Sequence, residues 1–197
     1  LPSFYAYPSP KQSKKQFIKS IKNLIQFNEI KLVISFLEVV DLLKSSFEMR
    51  NTNFVGFFDA NEVCTNEFNI DNLKVAQEKF QQFSSGTTGA KKGVVISIEA
   101  VFNQLKAYQE VLKLDNKSKI ISWLPHYHDM GLIACTLIPF IKQTPIVIMS
   151  PFEWVKNPIM LLKAISEYGG TNIWLPNFSL GHLVRTIDKD QFDQLNI

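Results

Sequence analysis

Apolar residues along the chain occur in two arrangements, which predict two kinds of regular structure. Short runs rich in β-branched and aromatic residues stand at residues 31–36, 54–58, 120–124, 145–149 and 171–175. Most of these runs are continuous, and strands that are buried on both faces of a sheet have that pattern. The runs therefore predict a mainly parallel sheet flanked by helices.

The segments between these runs have helical spacing. Phe17, Ile21 and Leu24 share one face of a segment whose other face carries several lysines. Further helices are predicted at about residues 98–114, 157–168 and 180–187, the second of them ended by the Gly169-Gly170 pair. The alternation of strand and helix predicts an α/β fold.

The lysine face of the first helix permits two interpretations. A helix that packs on a sheet with a solvated basic face is the commoner arrangement. A basic helix that binds a membrane surface has the same sequence pattern. We favour the first interpretation.

Composition narrows the class of protein. Of 197 residues, 46% are hydrophobic, 12% aromatic and 20% charged, which fits one globular domain or a piece of a larger one and excludes intrinsic disorder. A formal net charge of +3 is too small to indicate a nucleic-acid partner. The chain begins at Leu1 and ends at Ile197 directly after an amphipathic stretch, so we expect an internal portion of a longer protein.

The cellular compartment is predicted from what the sequence lacks. No stretch reaches the roughly 18 apolar residues that a transmembrane segment needs, and the first residues do not resemble a signal peptide. Cys64 and Cys135 show no metal-ligand or CxxC spacing and are interpreted as free thiols in a reducing compartment. We expect a soluble, cytoplasmic protein.

Residues 82–94, with the sequence QFSSGTTGAKKGV, concentrate hydroxyl groups, glycines and lysines between two apolar segments. Glycines allow successive backbone N–H groups to face one concavity, and a lysine adds positive charge, so such a loop can hold a polyphosphate. The stretch matches neither the Walker A pattern nor G-x-G-x-x-G. On these residues alone, a phosphate-binding loop and a turn-rich surface loop both remain open.

Residues 84–93 resemble the phosphate-binding signature of the adenylate-forming superfamily of acyl-CoA synthetases and fatty acyl-AMP ligases, Ser/Thr-Ser-Gly-Ser/Thr-Thr-Gly-x-Pro-Lys-Gly. Every constrained position matches except Lys91, where the family usually has proline. We expect this substitution to leave the loop more flexible when it is empty. The family's invariant lysine falls on Lys92.

A second motif, WLPHYHDMGL at residues 123–132, directly follows a predicted strand. Ligands bind at the carboxyl ends of strands in open α/β sheets. The His-x-His-Asp order is an incomplete metal-ligand set, so we predict no metal site in it. The motif resembles the Trp-Leu-Pro-x-Tyr-His-Asp-Met-Gly segment of fatty acyl-AMP ligases, which implies that His128 shapes and closes the pocket where the acyl carboxylate meets the α-phosphate.

A third match, WLPNF at residues 174–178, is similar to the family stretch that ends in Pro-Asn-Phe beside the acyl and adenine pockets. The opening residues 2–12 also resemble the entry to the first nucleotide-binding unit of such enzymes. The resemblance covers nearly the whole chain, with its motifs in order.

This resemblance implies a reaction and a site. The reaction is ATP-dependent activation of a fatty acid as an acyl adenylate, with Mg2+, release of pyrophosphate, and CoA or acyl carrier protein as the later acceptor. The implied catalytic residues are Lys92 and His128. The implied nucleotide-binding residues are Lys92 and the loop residues Ser84, Ser85, Gly86, Thr87, Thr88 and Gly89. The implied substrate pocket is lined by His128, Asp129, Met130, Gly131, Asn177 and Phe178.

The resemblance also implies missing parts. A Mg2+-binding acid, a ribose-binding Asp and a small C-terminal domain with a catalytic lysine are expected after the Pro-Asn-Phe stretch. Residues 1–197 are thus predicted to be part of the N-terminal AMP-binding domain, too incomplete to turn over alone. The alternative is a relative that binds nucleotide or acts as a scaffold without catalysis.

Overall fold

The structure is a computed structural model of the chain, and it describes residues 1–6, 12–48, 51–57, 79–84, 92–193 and 195. The chain divides into two compact units, which are described separately. The smaller unit is Ala6–Ala76, and the larger combines Leu1–Tyr5 with Gln77–Ile197.

The smaller unit opens with the amphipathic helix α1, Lys14–Phe27. Ser13 caps it in a capping box, because the Ser13 hydroxyl accepts the Gln16 N–H while the Gln16 side chain accepts the Ser13 N–H. The apolar face, including Phe17, Ile21 and Leu24, is buried. The predicted first helix is confirmed.

Two parallel strands complete this unit with a second helix. Strand β1, Leu32–Phe36, pairs in parallel with β2, Asn53–Phe57. Both strands fall within a residue of their apolar runs. Helix α2, Leu37–Ser46, joins them and buries Val40 and Leu43. The sequence patterns did not predict α2.

The larger unit begins with an antiparallel hairpin. Strand β3, Lys79–Ser84, pairs with β4, Lys92–Ser97, which leads directly into α3, Ile98–Leu112. Helix α3 was predicted, but neither strand was. Strand β3 reads KFQQFS, so it lacks the continuous apolar run that marks a strand buried on both faces.

A parallel pair stands at the centre of this unit. Strand β5, Ile120–Ser122, pairs with β6, Ile146–Ile148, as the apolar runs predicted. The predicted strand at residues 171–175 is reduced to one parallel bridge between Ile120 and Asn172. Two residues beyond that bridge, Trp174 stacks on Tyr108, and the next helix begins directly after Pro176.

The rest of the larger unit is made up mainly of short helices. They are α4, Asp129–Leu132, a π-helical turn at Ile133–Leu137, α5, Ile138–Lys142, α6, Pro151–Lys156, α7, Ile159–Tyr168, α8, Asn177–Thr186, and α9, Lys189–Asp193. Helix α7 ends as predicted at Gly169, which has a φ of 65°. None of the described helices is long and apolar enough to cross a bilayer.

The main core of the larger unit contains β5 and the residues that follow it. Trp123 and Trp154 stack face to face with ring centroids 3.9 Å apart, and both are buried. Ile121, Leu161 and Cys135 belong to the same cluster. The end of β5 is therefore fixed by dense aromatic packing.

Within the described ranges the sheets are two parallel pairs and one antiparallel pair, with helices between the strands. The predicted α/β class is confirmed.

Candidate functional site

The glycine-rich stretch connects the two strands of the hairpin. Ser84, the last residue of β3, is opposite Lys92, the first residue of β4. The predicted nucleotide-binding residues between them, Ser85, Gly86, Thr87, Thr88 and Gly89, lie outside the described residues. Their predicted roles, and those of the Ser84 and Lys92 side chains, stay predictions. The backbone pairing nevertheless brings both ends of the stretch to one point.

The second motif forms a tight corner between β5 and α4. After the buried Trp123 and Leu124, the chain turns, and the His128 N–H donates to the Pro125 carbonyl at 3.0 Å. The His128 carbonyl then accepts the Leu132 N–H at 2.7 Å, which begins the helix. Backbone hydrogen bonds on both sides thus hold His128 at the carboxyl end of a central strand.

The side chains of His128 and Asp129 face solvent, with 61% and 74% of their surfaces exposed. The His128 ring contacts the Asp129 carboxylate through Nδ1, and the same carboxylate oxygen accepts the Met130 N–H at 2.8 Å. The pair is therefore oriented by the helix start and accessible to a ligand.

Met130 and Gly131 both make packing contacts in the structure, and their role in lining the substrate pocket stays a prediction. Met130 packs against the main core. Gly131 is buried, and a Cβ atom added to it would lie 2.1 Å from the Pro125 carbonyl oxygen. Only a residue without a side chain permits this close approach of two backbone segments.

The third motif meets the second through aromatic contacts. Phe178, on the first turn of α8, packs edge to face against Trp123 and Trp154, at centroid distances of 6.0 and 6.4 Å. Asn177 begins the same helix and is exposed. Because Trp123 directly follows β5, the structure brings Phe178 to the base of the corner that carries His128.

A shared hydrophobic cluster connects the hairpin to the same corner. Phe80 of β3 packs with Leu132 of α4 and Val101 of α3, and all three side chains are buried. Helix α4 begins at Asp129. The helix that follows His128 and the hairpin that carries the glycine-rich stretch therefore share this hydrophobic cluster. The segment at residues 123–132 thus contacts the hairpin through Leu132 and α8 through Trp123.

The sequence reasoning missed one polar contact at this corner. His126 Nδ1 lies 2.7 Å from Thr136 Oγ1, and the Thr136 hydroxyl donates to the Gly131 carbonyl at 2.9 Å. Thr136 lies in the π-helical turn, which the hydrophobic pattern does not reveal. The place of His126 within the motif at residues 123–132 is the signal that the sequence offers for this contact.

Across the described ranges, no group of three or more His, Cys, Asp or Glu side chains is placed to hold a metal ion.

Comparisons with known proteins identify the family of the chain that carries the corner and the hairpin. Residues 18–195 match the sequence profile of the AMP-binding enzyme family. The medium-chain-fatty-acid acyl-carrier-protein ligase JamA of Moorena producens is 30% identical over 118 residues, which are 60% of this chain and 20% of that ligase.

Solved structures share the fold. A fatty acid AMP ligase from Legionella pneumophila is 25% identical with a TM-score of 0.77, covering 95% of this chain and 32% of its own. A chain from a study of fatty acyl-adenylate ligases of E. coli and L. pneumophila has a TM-score of 0.83 at 22% identity, covering 98% of this chain and 35% of its own.

These matches cover nearly all of this chain but only about a third of the solved ligases. Since the family profile extends over residues 18–195, the chain belongs to the AMP-binding enzyme family.

Proposed function

We propose that this chain is part of the large N-terminal domain of a ligase that activates a fatty acid as an acyl adenylate and releases pyrophosphate. One observation carries the proposal: the segment that follows β5 packs against two others. Phe178 of α8 contacts Trp123 at the start of that segment, and Phe80 of the hairpin shares a buried cluster with Leu132 of α4. A site that must bring a nucleotide and a carboxylate together needs groups from several segments at one edge of a sheet.

The substrate class is supported by the names of the relatives. JamA is named a ligase of medium-chain fatty acids and acyl carrier protein, and the Legionella enzyme is named a fatty acid AMP ligase. We therefore propose a fatty acid as the carboxylate substrate. Acyl carrier protein or CoA is the proposed acceptor of the acyl group, and the cytoplasm is the proposed compartment.

The proposed chemistry joins two anions. A carboxylate oxygen attacks the α-phosphorus of ATP, a new bond from that oxygen to phosphorus forms, and the bond from the α-phosphorus to the bridging oxygen breaks, releasing pyrophosphate. Fixed positive charge and N–H dipoles must be present where negative charge accumulates. We assign this role to Lys92 and to the backbone and hydroxyl donors of residues 84–89.

The corner and α8 are assigned to the carboxylate side of the reaction. His128 is exposed at the helix start, held in place by backbone bonds and its contact with Asp129. We propose that it shapes and closes the pocket, without acting as a nucleophile. Asn177 and Phe178 lie at the adjacent helix end, where an apolar acyl chain would meet the aromatic cluster.

ATP with Mg2+ is the proposed cofactor pair. The ion would neutralise charge on the phosphate oxygens when it is bound with the nucleotide. The described side chains offer no cluster of acidic or other ligating groups for it, so no residue of this chain is assigned to the ion.

The proposal is tested in the intact ligase by carboxylate-dependent exchange of pyrophosphate into ATP. Lys92→Ala or Thr88→Val should each lower the exchange rate by at least ~100-fold, because both remove groups that contact the phosphates. Lys106→Ala is the matched control, since Lys106 is an exposed lysine on α3. Exchange by both loop variants at the control's rate would contradict the assignment.

One departure from the family signature favours a second candidate, a relative that binds nucleotide without catalysis. Lys91 replaces the usual proline and adds a charge to the proposed phosphate loop. Such a protein would bind ATP yet show no exchange with any fatty acid. We also expect residues 1–197 alone to bind nucleotide weakly and not to turn over.

A further inference from the structure

A short relay of hydrogen bonds connects His126 to the helix that follows the corner. The Thr136 hydroxyl has one hydrogen, and it donates that hydrogen to the Gly131 carbonyl at 2.9 Å, since a carbonyl can only accept. At 2.7 Å from the same oxygen, His126 Nδ1 must therefore be the donor. The relay fixes the neutral imidazole as the Nδ1–H tautomer.

The relay depends on the π-helical turn. Thr136 lies five residues after Gly131, whereas a threonine in an α-helix bonds the carbonyl three or four residues earlier. The Ile138 N–H donates to the Ile133 carbonyl with the same five-residue spacing. The wider turn thus lets the Thr136 side chain reach Gly131, and π-turns are frequent at functional sites.

The same relay closes the turn that carries His128. Pro125, next to His126, accepts the His128 N–H and lies in close contact with Gly131. The backbone hydrogen bond between residues 128 and 125 closes the turn. The His126 side chain connects that turn to the following helix through the Thr136 hydroxyl. Loss of the relay would leave the His128 turn held by its backbone bonds and by the contact of His128 with Asp129.

We propose that His126 is a positioning residue, which acts through its Nδ1–H bond to Thr136 to hold the corner in the shape that presents His128 to the substrates. This inference rests on the proposed function of the corner. The His126 ring is half-buried, and within the described ranges its Nε2 atom has no hydrogen-bond partner. A ligand-binding role would use Nε2, whereas the positioning role uses Nδ1.

This difference between the two ring nitrogens gives a direct test. The amide nitrogen of asparagine occupies a place similar to Nδ1 of histidine, and that of glutamine a place similar to Nε2. In the intact ligase, His126→Asn and Thr136→Ser should keep kcat within about twofold of wild type. His126→Gln and Thr136→Val should lower kcat about tenfold with little change in KM for ATP, because they break the relay without removing a substrate contact.

Thr144→Val is the matched control. Thr144 follows α5, and its hydroxyl makes no hydrogen bond within the described part of the chain. Its removal should leave kcat unchanged. Activity retained by His126→Gln and lost by His126→Asn would overturn the proposal in favour of a ligand contact, and full activity of all four variants would overturn it outright.

A spectroscopic measurement separates this inference from the proposed function. With 15N-labelled histidine, imidazole nitrogen shifts above pH 8 should identify the His126 Nδ1–H tautomer, and Thr136→Val should shift the balance toward Nε2–H. An Nε2–H tautomer in the unsubstituted protein would overturn the relay. If that protein forms no adenylate while the Nδ1–H tautomer is observed, the proposed function fails and the relay stands.

Discussion

The close contact between Gly131 and Pro125 gives a quantitative prediction about the corner. A Cβ atom at residue 131 would lie 2.1 Å from the Pro125 carbonyl oxygen and 2.8 Å from its carbonyl carbon. Both atoms belong to the backbone, so no side-chain rotation relieves the overlap. The Pro125 oxygen also accepts the His128 N–H at 3.0 Å, and its retreat would disturb that bond.

Gly131→Ala should therefore lower the free energy of unfolding by ~1–3 kcal/mol, the cost of forcing one extra methyl group into a closely packed site. Gly181→Ala is the matched control. The nearest atoms to a Cβ there belong to the flexible Arg185 guanidinium, at 3.6 to 3.8 Å. In the middle of α8 this alanine should raise stability by up to ~1 kcal/mol, because glycine is a poor helix former.

Urea unfolding followed by tryptophan fluorescence measures both effects, since Trp123 and Trp154 lie in the core beside the corner. A Gly131→Ala protein that unfolds at the same urea concentration as the wild type would refute the packing argument. So would equal destabilisation by the two alanines, because only one of them meets backbone.

Three further predictions concern single side chains. Burial raises the pKa of the Cys135 thiol. In a Cys64→Ser background, Cys135 of the folded protein should therefore react with a thiol reagent at pH 8 much more slowly than Cys135 of the protein unfolded in urea. Equal rates would contradict its burial. The Ser97 hydroxyl caps α3 by accepting the Ala100 N–H at 3.1 Å. Ser97→Ala should therefore lower the free energy of unfolding by ~0.5–2 kcal/mol, and an unchanged urea midpoint would contradict the cap. Hydrogen bonds from the Lys117 N–H and the Ser118 hydroxyl lower the pKa of Asp115 below its ordinary value. The stability that the ionised carboxylate contributes is therefore present above that ordinary pKa and is lost as the pH falls through the lowered one. Asp115→Asn should flatten the acid side of the stability profile, and an identical acid slope would contradict this.

The parallel strands could be predicted from the sequence, and the hairpin could not. The expectation that the parallel strands are buried on both faces holds for β5, whose three residues are all buried, but not for β1, where exposed and partly buried residues alternate. Strand β3 has two glutamines, and Gln82 is buried, an arrangement that the hydrophobic pattern does not reveal. Its pairing with β4 depends on contacts between strands.

For the candidate site, too, one part could be predicted from the sequence and another could not. The motifs around residues 84–93, 123–132 and 174–178 are visible as residue types at fixed spacing. That the segment after β5 contacts both the hairpin and α8 is a property of packing, seen in the contacts of Phe80 with Leu132 and of Phe178 with Trp123. The His126 relay needed the π-helical turn, which no spacing rule predicts.

We propose that this chain belongs to an enzyme that forms acyl adenylates from fatty acids. Mass spectrometry of a reaction of the intact protein with ATP, Mg2+ and a series of fatty acids tests it directly. We expect an acyl-AMP whose mass follows the fatty acid supplied, with one pyrophosphate per adenylate, and loss of both products in Lys92→Ala. ATP binding without acyl-AMP from any fatty acid would contradict it.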